Sequence, residues 1–367
     1  MKILCSKDIL QTGVNTVQRA VSNKSTLPVL QGILLKAEKQ TLTFCATDLE
    51  IGIRCEVAAE ITEEGSTVVP AKLFSEIVRK LPDTIISLDL NDDVLIIKYF
   101  QAEISLKNYD PQEFPLLPDL DDARFFTLPT ALLKNMIRQT AFACATEETR
   151  PIFTGVLLNI DGHTIKMVGT DTHRLAYRIA EIPNQDELQF NGLIPSKTLS
   201  EIYKLIRDED EFVNINFSDS QISFQFGSIN MISRLIDGQF PNYNQVIPKS
   251  CDTKIYVSVD SLLDSVERAA LIARDNSYAN IIRLAISNRI LKINKVTEIG
   301  KINEKLDIKM EGKDTLISFN AKFLIDVLKI IDCEDIVMEF SGSFSPGIIR
   351  PLNDSNYLYL LLPVRAT

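Results

Sequence analysis

Histidine is scarce in this chain of 367 residues, with only His163 and His173 present. Histidine is the commonest metal ligand, and a catalytic metal site needs several protein ligands beside an open position. The chain also lacks a Walker loop, a G-x-S-x-G elbow and a G-x-G-x-x-G turn after a strand. The sequence therefore predicts no enzymatic activity, no metal and no cofactor.

Long apolar runs are absent as well. No stretch of about 18 apolar residues occurs, so no membrane-spanning helix is predicted. Met1–Ser6 leads straight into Lys7 and Asp8, without the longer apolar core of a signal peptide. The six cysteines form no C-x-x-C pair, which is typical of reduced thiols buried as small side chains. We therefore expect a cytoplasmic protein that does not bind the membrane.

Acidic residues outnumber basic ones, 49 against 39, which gives a formal net charge of -10. Taken alone, this charge argues against a protein that grips nucleic acid by bulk electrostatics. The length predicts two or three domains, and the composition is that of an ordinary globular protein. How the basic residues are distributed changes the electrostatic argument.

One segment occurs three times at an even spacing. Lys72 and Lys197 are 125 residues apart, and so are Lys197 and Lys322. The sequence around each lysine repeats, clearly in two copies and more faintly in the third: Pro70–Ile77, Pro195–Ile202 and Asn320–Val327. A period of this length is that of a whole domain and is too long for a solenoid repeat.

Two further landmarks keep the same register. Thr47-Asp48 corresponds to Thr170-Asp171, and Phe114-Pro115 corresponds to Phe240-Pro241. Alternating apolar strands around polar turns predict hairpins within the copies. We therefore predict three tandem copies of one α+β domain, each with two helices on antiparallel sheets, at residues 1–124, 125–250 and 251–367.

The repeat also bears on Asp171-Thr172-His173, which has the look of a metal-hydrolase fragment. In the first copy Leu49-Glu50 stands where the second has Thr172-His173, so the acid recurs without the histidine. A Thr-Asp pair fits more simply a turn in which the carboxylate accepts backbone N–H groups. We predict such a turn at this position.

Each repeated helix carries a second base seven residues after its lysine: Arg79, Lys204 and Lys329. Seven residues are close to two helical turns, so the two bases share one face while apolar residues face a core. For a single helix, a solvated face is the ordinary explanation. Three equivalent helices in an acidic protein instead predict one cationic surface, where phosphates bind without sequence readout and with salt sensitivity. That pattern favours sliding on DNA.

Over its whole length the chain resembles the bacterial sliding-clamp family, the β subunit of DNA polymerase III. The resemblance is carried by Thr26–Leu30, Ala46–Glu50, Val69–Lys72, Gly169–Ala176, Leu235–Tyr243 and Leu362–Arg365. It implies the DNA clamp fold, in which helices line the hole of a ring and strands form its outer shell. The implied function is that of a processivity factor of the DNA polymerase III holoenzyme in DNA replication.

The resemblance also implies a head-to-tail homodimer of six similar domains around duplex DNA. Such a contact is heterologous, and it makes a ring only if the rotation closes. The first domain of one subunit would join the third domain of the other, with sheets continuing across the junction. By position this dimer interface would comprise Ile104, Leu106, Leu271 and Ile272, although Leu106 fits an ordinary core residue equally well.

Partners of this family bind as short linear peptides in a hydrophobic pocket between the second and third domains. The implied partners are DNA polymerase III alpha, clamp-loader subunits, other DNA polymerases and repair proteins. Carried over by motif, the pocket is Phe153, Thr170, Thr172, His173, Arg174, Leu175, Pro241, Val246, Ser345, Leu360, Leu362, Pro363 and Arg365. Phe153 and Gln245 depart from the family pattern, which bears on peptide preference. The apolar tail that ends at Leu362 would form a strand with every second residue buried in its own sheet.

Contact with duplex DNA, without sequence specificity, is expected from the repeated bases and from bases at family positions: Lys24, Lys72, Arg79, Arg150, Lys197, Lys204, Lys322 and Lys329. Each of them also fits a plain surface charge. The rival hypothesis is a protein-interaction scaffold of tandem domains that does not bind DNA. It predicts neither a ring nor affinity for duplex DNA.

Overall fold

The computed structural model describes residues 1–22, 25–120, 124–147, 149–182, 188–272, 280–298 and 300–365. Its α-helices are α1 (Lys7–Val17), α2 (Ala71–Lys80), α3 (Thr130–Thr140), α4 (Ser196–Leu205), α5 (Val259–Ile272) and α6 (Ala321–Leu328). The chain divides into two compact units, which are Met1–Leu132 with Ser200–Leu235 and Leu133–Leu199 with Ile236–Thr367.

The β-strands, in chain order, are β1 (Lys2–Ser6), β2 (Gly32–Glu38), β3 (Thr41–Thr47), β4 (Ile51–Ala58), β5 (Glu60–Glu63), β6 (Gly65–Pro70), β7 (Ile85–Asn91), β8 (Val94–Tyr99), β9 (Ala102–Lys107), β10 (Arg124–Pro129), β11 (Gly155–Asp161), β12 (Thr164–Thr170), β13 (Arg174–Glu181), β14 (Gln189–Pro195), β15 (Phe212–Phe217), β16 (Gln221–Phe226), β17 (Ile229–Arg234), β18 (Thr253–Ser258), β19 (Ile281–Ser287), β20 (Ile290–Thr297), β21 (Gly300–Asp307), β22 (Lys309–Gly312), β23 (Thr315–Asn320), β24 (Asp335–Phe340), β25 (Gly347–Pro351) and β26 (Tyr357–Leu361). The hairpins expected from alternating apolar residues are present as β7–β8 and β15–β16.

The first unit contains two antiparallel sheets. One has the strand order β5-β1-β7-β8-β9, and the other has the order β10-β15-β16-β17-β4-β3-β2-β6. In the second sheet β17 pairs with β4, which places Met231 opposite Ile53. This pairing explains why Ser200–Leu235 groups with the N-terminal part of the chain. Because the sheet runs unbroken through strands on both sides of residue 124, the exact domain boundaries stay a prediction.

The second unit also contains two antiparallel sheets. A nine-stranded sheet has the order β14-β11-β12-β13-β26-β25-β24-β18-β22, and a four-stranded sheet has the order β21-β20-β19-β23. Helices α5 and α6 pack on each other and on the four-stranded sheet. Strand β26 at the end of the chain pairs with β13, and this pairing joins elements far apart in sequence.

Helix α2 shows how the repeated segment folds. Ala71, Phe74 and Val78 recur at helical spacing and are buried, while the bases of the segment lie on the opposite, exposed face. The helix ends at Lys80 because Pro82 follows Leu81, and a residue before proline favours an extended backbone. Helices α2, α4 and α6 begin at residues 71, 196 and 321, so the predicted period is confirmed.

Candidate peptide-binding site and basic helix faces

A tight turn joins β12 to β13 and is fixed by its own side chains. The Thr170 hydroxyl donates to the Arg174 carbonyl at 2.6 Å and accepts the Thr172 N–H at 3.2 Å. Asp171 Oδ1 accepts the N–H groups of His173 at 2.9 Å and Arg174 at 3.0 Å. Thr172 has a φ of +77°, a left-handed conformation that these bonds hold in place. The predicted Thr-Asp turn is therefore confirmed.

The same turn recurs between β3 and β4. The Thr47 hydroxyl donates to the Ile51 carbonyl at 2.8 Å, and Asp48 Oδ1 accepts the N–H groups of Glu50 and Ile51 at 3.1 and 2.8 Å. Leu49 has a φ of +75°. The turn at Thr47-Asp48 forms without a histidine, and the turn at Thr170-Asp171 forms with one. The backbone N–H groups that each aspartate accepts therefore explain why the aspartate is repeated. Across the described ranges, no cluster of three or more His, Cys, Asp and Glu side chains is placed to hold a metal ion.

Arg174 is 8% exposed at its side chain, and its guanidinium group has several partners. Nε donates to Asp171 Oδ2 at 2.9 Å, Nη1 donates to Asp326 Oδ2 at 2.6 Å, and Nη2 donates to the Phe142 carbonyl at 2.9 Å. Burial alone would lower the pKa of Arg174, but Tyr359, Asp326 and Asp171 outweigh it and raise the pKa. Arg174 is thus a permanently charged link between the turn and helix α6.

Phe323 of α6 forms the surface against which the turn packs. The His173 ring stacks on the Phe323 ring with centroids 6.5 Å apart and planes 20° apart. Arg174 Cζ lies 4.4 Å from the centre of the same ring, a cation–π contact. The Phe323 carbonyl accepts the Tyr359 hydroxyl at 3.0 Å, so α6 also contacts β26. The turn, the helix and the C-terminal strand form one connected site.

The C-terminal strand β26 presents its two faces to different apolar groups. In the pairing with β13, Leu175 lies opposite Leu360 and Tyr177 lies opposite Leu358. Leu175, Leu358 and Leu360 belong to one apolar cluster, here called the Leu360 cluster. The alternate residues of the strand face a separate core that includes α5 and α6: Tyr357, Tyr359 and Leu361. The predicted strand is present, but all five of its residues are buried rather than every second one, because apolar groups cover both of its faces.

A segment after β17 covers the Leu360 cluster. Phe240 and Tyr243 pack against it with ring centroids 6.4 Å apart, and Tyr243 lies 5.8 Å from the Tyr177 ring. Burial raises the pKa of both Tyr177 and Tyr243. Ile152, Ile236 and Ile247 complete this layer. These six residues were not among the pocket residues predicted by motif, although the Phe-Pro-x-Tyr segment that carries Phe240 and Tyr243 was the available signal.

The transferred pocket residues divide into a buried floor and an exposed rim. The Leu362 N–H donates to the His173 carbonyl at 2.9 Å, so the tail after β26 runs beside the turn. Val246 is 50% exposed and Leu362 is 36% exposed. The buried residues are Phe153, Thr170, Arg174, Leu175 and Leu360, the half-buried ones are Ser345 and Pro363, and the exposed ones are Thr172, His173, Pro241, Val246, Leu362 and Arg365.

The contacts bring together only part of the predicted pocket. They connect the turn at residues 170–175 with Leu360 and Leu362. Phe153 ends a short 3-10 helix, and its carbonyl accepts the Ala145 N–H at 2.8 Å, while the preceding Ile152 packs on the Leu360 cluster. For Phe153, Pro241, Val246, Ser345, Pro363 and Arg365 a role in the pocket stays a prediction.

The repeated helices expose their bases to solvent. Within the described parts of the chain, Lys72, Arg79 and Lys322 form no ion pair. Lys204 pairs with Glu201 at 2.7 Å and Lys329 pairs with Glu267 at 2.7 Å. Lys197 and Arg150 are also exposed, whereas Lys24 lies outside the described residues. The predicted basic faces exist on the individual helices, and the role of these bases in binding DNA stays a prediction.

Three family models match consecutive parts of the chain. The N-terminal domain of the DNA polymerase III beta subunit matches residues 1–118, the central domain matches residues 127–242, and the C-terminal domain matches residues 244–365. The chain belongs to the DNA polymerase III beta subunit family. Its fold is that of three tandem domains of this family, as the period of 125 residues predicted.

Full-length relatives agree with this membership. The beta sliding clamps of Halalkalibacterium halodurans and Bacillus subtilis are each 36% identical, with 100% of both chains covered. The crystal structure of the DNA polymerase sliding clamp from Bacillus subtilis matches with a TM-score of 0.97 at 35% identity, again over 100% of both chains. None of the helices in the described part of this chain has the length and apolar character needed to cross a membrane.

The N-terminal and C-terminal beta-subunit domains each contain a sheet that ends in an edge strand. Strand β9 is outermost in its sheet and carries Ile104, which is half-buried, and Leu106, which is 4% exposed. Leu271, near the end of α5, is 60% exposed, and the neighbouring Ile272 is half-buried. Strand β21 is the corresponding edge of the four-stranded sheet. Leu106 thus has the burial of an ordinary core residue, and an interface role for all four residues stays a prediction.

Proposed function

We propose that this chain is a DNA sliding clamp: a ring-shaped homodimer that encircles duplex DNA and keeps the replicative polymerase on it. It acts without catalysis, in the cytoplasm, and its DNA contacts are independent of sequence. The family membership of the whole chain is the observation that carries this proposal. We place the three clamp domains at residues 1–124, 125–250 and 251–367.

Electrostatics support the DNA-binding part of the proposal. An acidic protein of net charge -10 repels a polyanion over most of its surface. The exposed bases of α2, α4 and α6 supply local attraction at three equivalent positions. Phosphate contacts of this kind carry no sequence information, so the protein can slide along the duplex. Together with Lys24 and Arg150, these helices would line the channel.

The site around the Leu360 cluster supports recruitment of partners by short peptides. It combines an apolar floor with exposed apolar and polar residues at its rim, as peptide-binding grooves do. The candidate peptides come from DNA polymerase III alpha, clamp-loader subunits, other DNA polymerases and repair proteins. Arg174 and Phe323 would hold the His173 side of the site in place.

Ring closure would use the two sheet edges. Strand β9 of one protomer and β21 of the other would pair, with Leu271 and Ile272 packed against Ile104 and Leu106. Two such heterologous contacts close a ring of two subunits. An edge strand exposes unpaired N–H and C=O groups, which a second strand satisfies.

The decisive experiment is retention of the protein on circular DNA. The chain is loaded onto a nicked plasmid by the clamp loader of the same organism, separated from free protein by gel filtration, and the plasmid is then linearised. A sliding ring stays bound to the circle and is lost within minutes of linearisation. The matched control cuts a second, unconnected plasmid in the same tube.

Two results would contradict the proposal. A protein that stays on linear DNA with free ends binds by ordinary affinity and is not held topologically. A protein that never associates with the circle and remains a monomer of 41.2 kDa would fit the tandem-domain scaffold instead.

A further inference from the structure

Phe100 is an exposed aromatic residue at a position that disfavours it. It lies in the two-residue turn between β8 and β9, is 78% exposed, and has a φ of +46°. A positive φ favours glycine, and a bulky side chain there is strained. Two-residue hairpin turns use a positive φ, as Lys39 and Arg289 do between β2 and β3 and between β19 and β20, so the turn explains the backbone but not the exposed aromatic side chain. The Tyr99 ring lies edge-on to it at 6.5 Å and supports the ring without covering it.

The position of this turn links it to the proposed ring junction. The turn leads directly into β9, the edge strand that carries Ile104 and Leu106. The cross-strand pair Tyr99 and Ala102 closes the hairpin, so Phe100 projects from the end of the same edge. An aromatic side chain at this point would extend the apolar contact beyond the strand.

A groove lies at the end of the other sheet edge, where β21 leads into β22. Its volume is about 890 Å³, and its lining includes Ile308, Met310 and Leu352 together with Arg289 and Lys309. Leu352 is 44% exposed, an apolar surface that faces solvent in the single chain. The charged residues of the lining are of both signs: Arg289, Lys309, Asp307, Glu311 and Asp335. The apolar walls are therefore what suits an aromatic ring, and the two cations can contact its face.

Pairing the two edges brings the turn and the groove together. We propose that β9 and β21 pair antiparallel across the junction and that Phe100 of one protomer inserts into this groove of a second copy, as an aromatic anchor of the ring. With the two strands centred on each other, Ser105 would lie opposite Asn303, and the turn that carries Phe100 would reach Ile308 at the groove. The proposal deepens the proposed function and depends on its head-to-tail dimer.

The test measures dimer dissociation and monomer stability in the same variant. Phe100→Gly removes the ring and also relieves the strained backbone. We expect the dimer Kd from sedimentation velocity to rise at least about tenfold, as for an aromatic interface anchor. We expect the unfolding midpoint under monomeric conditions to stay equal or rise, because glycine tolerates the positive φ. The matched control is Phe125→Ala, another Phe exposed to 69%, on β10.

A second variant tests the groove. Leu352→Ala should weaken the dimer in the wild-type background and have little further effect in the Phe100→Gly background, because both changes disrupt the same interaction. Equal and additive effects would show that the two residues do not meet. A dimer Kd for Phe100→Gly within about twofold of wild type would overturn the anchor. In that case, the proposed ring still stands if Ile104→Ala weakens the dimer. The ring itself is refuted if the wild-type chain never dimerises.

Discussion

Arg174 and Asp326 are 152 residues apart in sequence, yet the guanidinium Nη1 donates to the carboxylate Oδ2 at 2.6 Å. The bond joins the Thr-Asp turn of the central domain to α6 of the C-terminal domain. Helix α6 also carries the exposed bases Lys322 and, at its C-terminal end, Lys329. One short helix therefore supports the candidate peptide site on one side and presents candidate DNA-binding residues on another.

Replacing Arg174 should destabilise the protein and disturb the peptide site. In Arg174→Met, the carboxylates of Asp171 and Asp326 lose a cation in a site where the arginine is 8% exposed. Breaking a buried pair from one side costs about 3 kcal/mol. We expect a lower free energy of unfolding in urea and weaker binding of a polymerase peptide.

The control for this variant is Arg124→Met. Arg124 pairs with Asp219 at 3.4 Å, but both side chains are largely exposed, so its loss should change stability by less than about 1 kcal/mol. Equal losses of unfolding free energy in the two variants would mean that the bonds of Arg174 stabilise the protein no more than the exposed Arg124–Asp219 pair does.

Reversing the charge of the three repeated lysines should weaken DNA association without unfolding the protein. Lys72→Glu, Lys197→Glu and Lys322→Glu change exposed side chains on three equivalent helices. If each lysine binds one phosphate, the slope of log K against log salt should become shallower by about 0.9 for each phosphate that is no longer bound. The measurement is fluorescence anisotropy of a labelled duplex over a salt series, with circular dichroism to verify folding.

The control is a second triple variant with the same change in net charge but at other positions. It separates the effect of where the lysines lie from the effect of the protein's net charge. Lys36, Lys39 and Lys313 are exposed but lie on a strand or in the connections between strands. Their conversion to glutamate should leave the salt slope nearly unchanged. If log K changes with log salt by the same slope in both triple variants, the repeated bases do not line the channel.

Deleting Leu362 to Thr367 should abolish peptide binding while leaving the dimer. The deletion removes the Leu362 N–H bond to the His173 carbonyl and the Val364 N–H bond to the Ser318 carbonyl, at 2.9 and 2.8 Å. It also removes part of the exposed rim of the site. We expect no measurable binding of a peptide from the C-terminal tail of DNA polymerase III alpha by calorimetry.

The matched control deletes only Ala366 and Thr367 and should keep peptide binding. Sedimentation of both proteins should give the dimer. Wild-type peptide affinity in the longer deletion would defeat the assignment of this site.

Glu201 should make stability depend on pH below its ordinary pKa. Burial alone would raise the pKa of Glu201, but Lys204 and Arg19, each 2.7 Å away, outweigh it and lower the pKa below 4.5. Because the folded state holds the proton less tightly, this stabilisation is present above pH 4.5 and is lost as the pH falls through the folded pKa. Glu201→Gln should cost about 0.5–1 kcal/mol at pH 7 and little at pH 3.

Thermal unfolding at both pH values measures this difference. Glu60→Gln, at an exposed strand residue, serves as the control and should change stability little at either pH. A loss for Glu201→Gln of the same size at pH 3 and pH 7 would contradict the role of the ion pairs.

Features encoded by neighbouring residues followed from the sequence alone. The first residues of helices α2, α4 and α6 are 125 residues apart, as the repeat in the sequence predicts. Their bases are exposed because apolar residues at helical spacing occupy the buried face. The Thr-Asp turn forms twice because its hydrogen bonds join residues at most four positions apart. Such bonds depend on local geometry, so the same short motif gives the same turn.

Contacts between distant residues were decided only by the tertiary structure. Asp326 and Phe142 became partners of Arg174 because β26 pairs with β13 and α6 packs beside them. Phe240 and Tyr243 cover the Leu360 cluster for the same kind of reason. The sequence determined which faces were apolar or basic, whereas strand pairing across long separations decided which faces meet. That choice depends on burying many apolar side chains at once, which no short motif specifies.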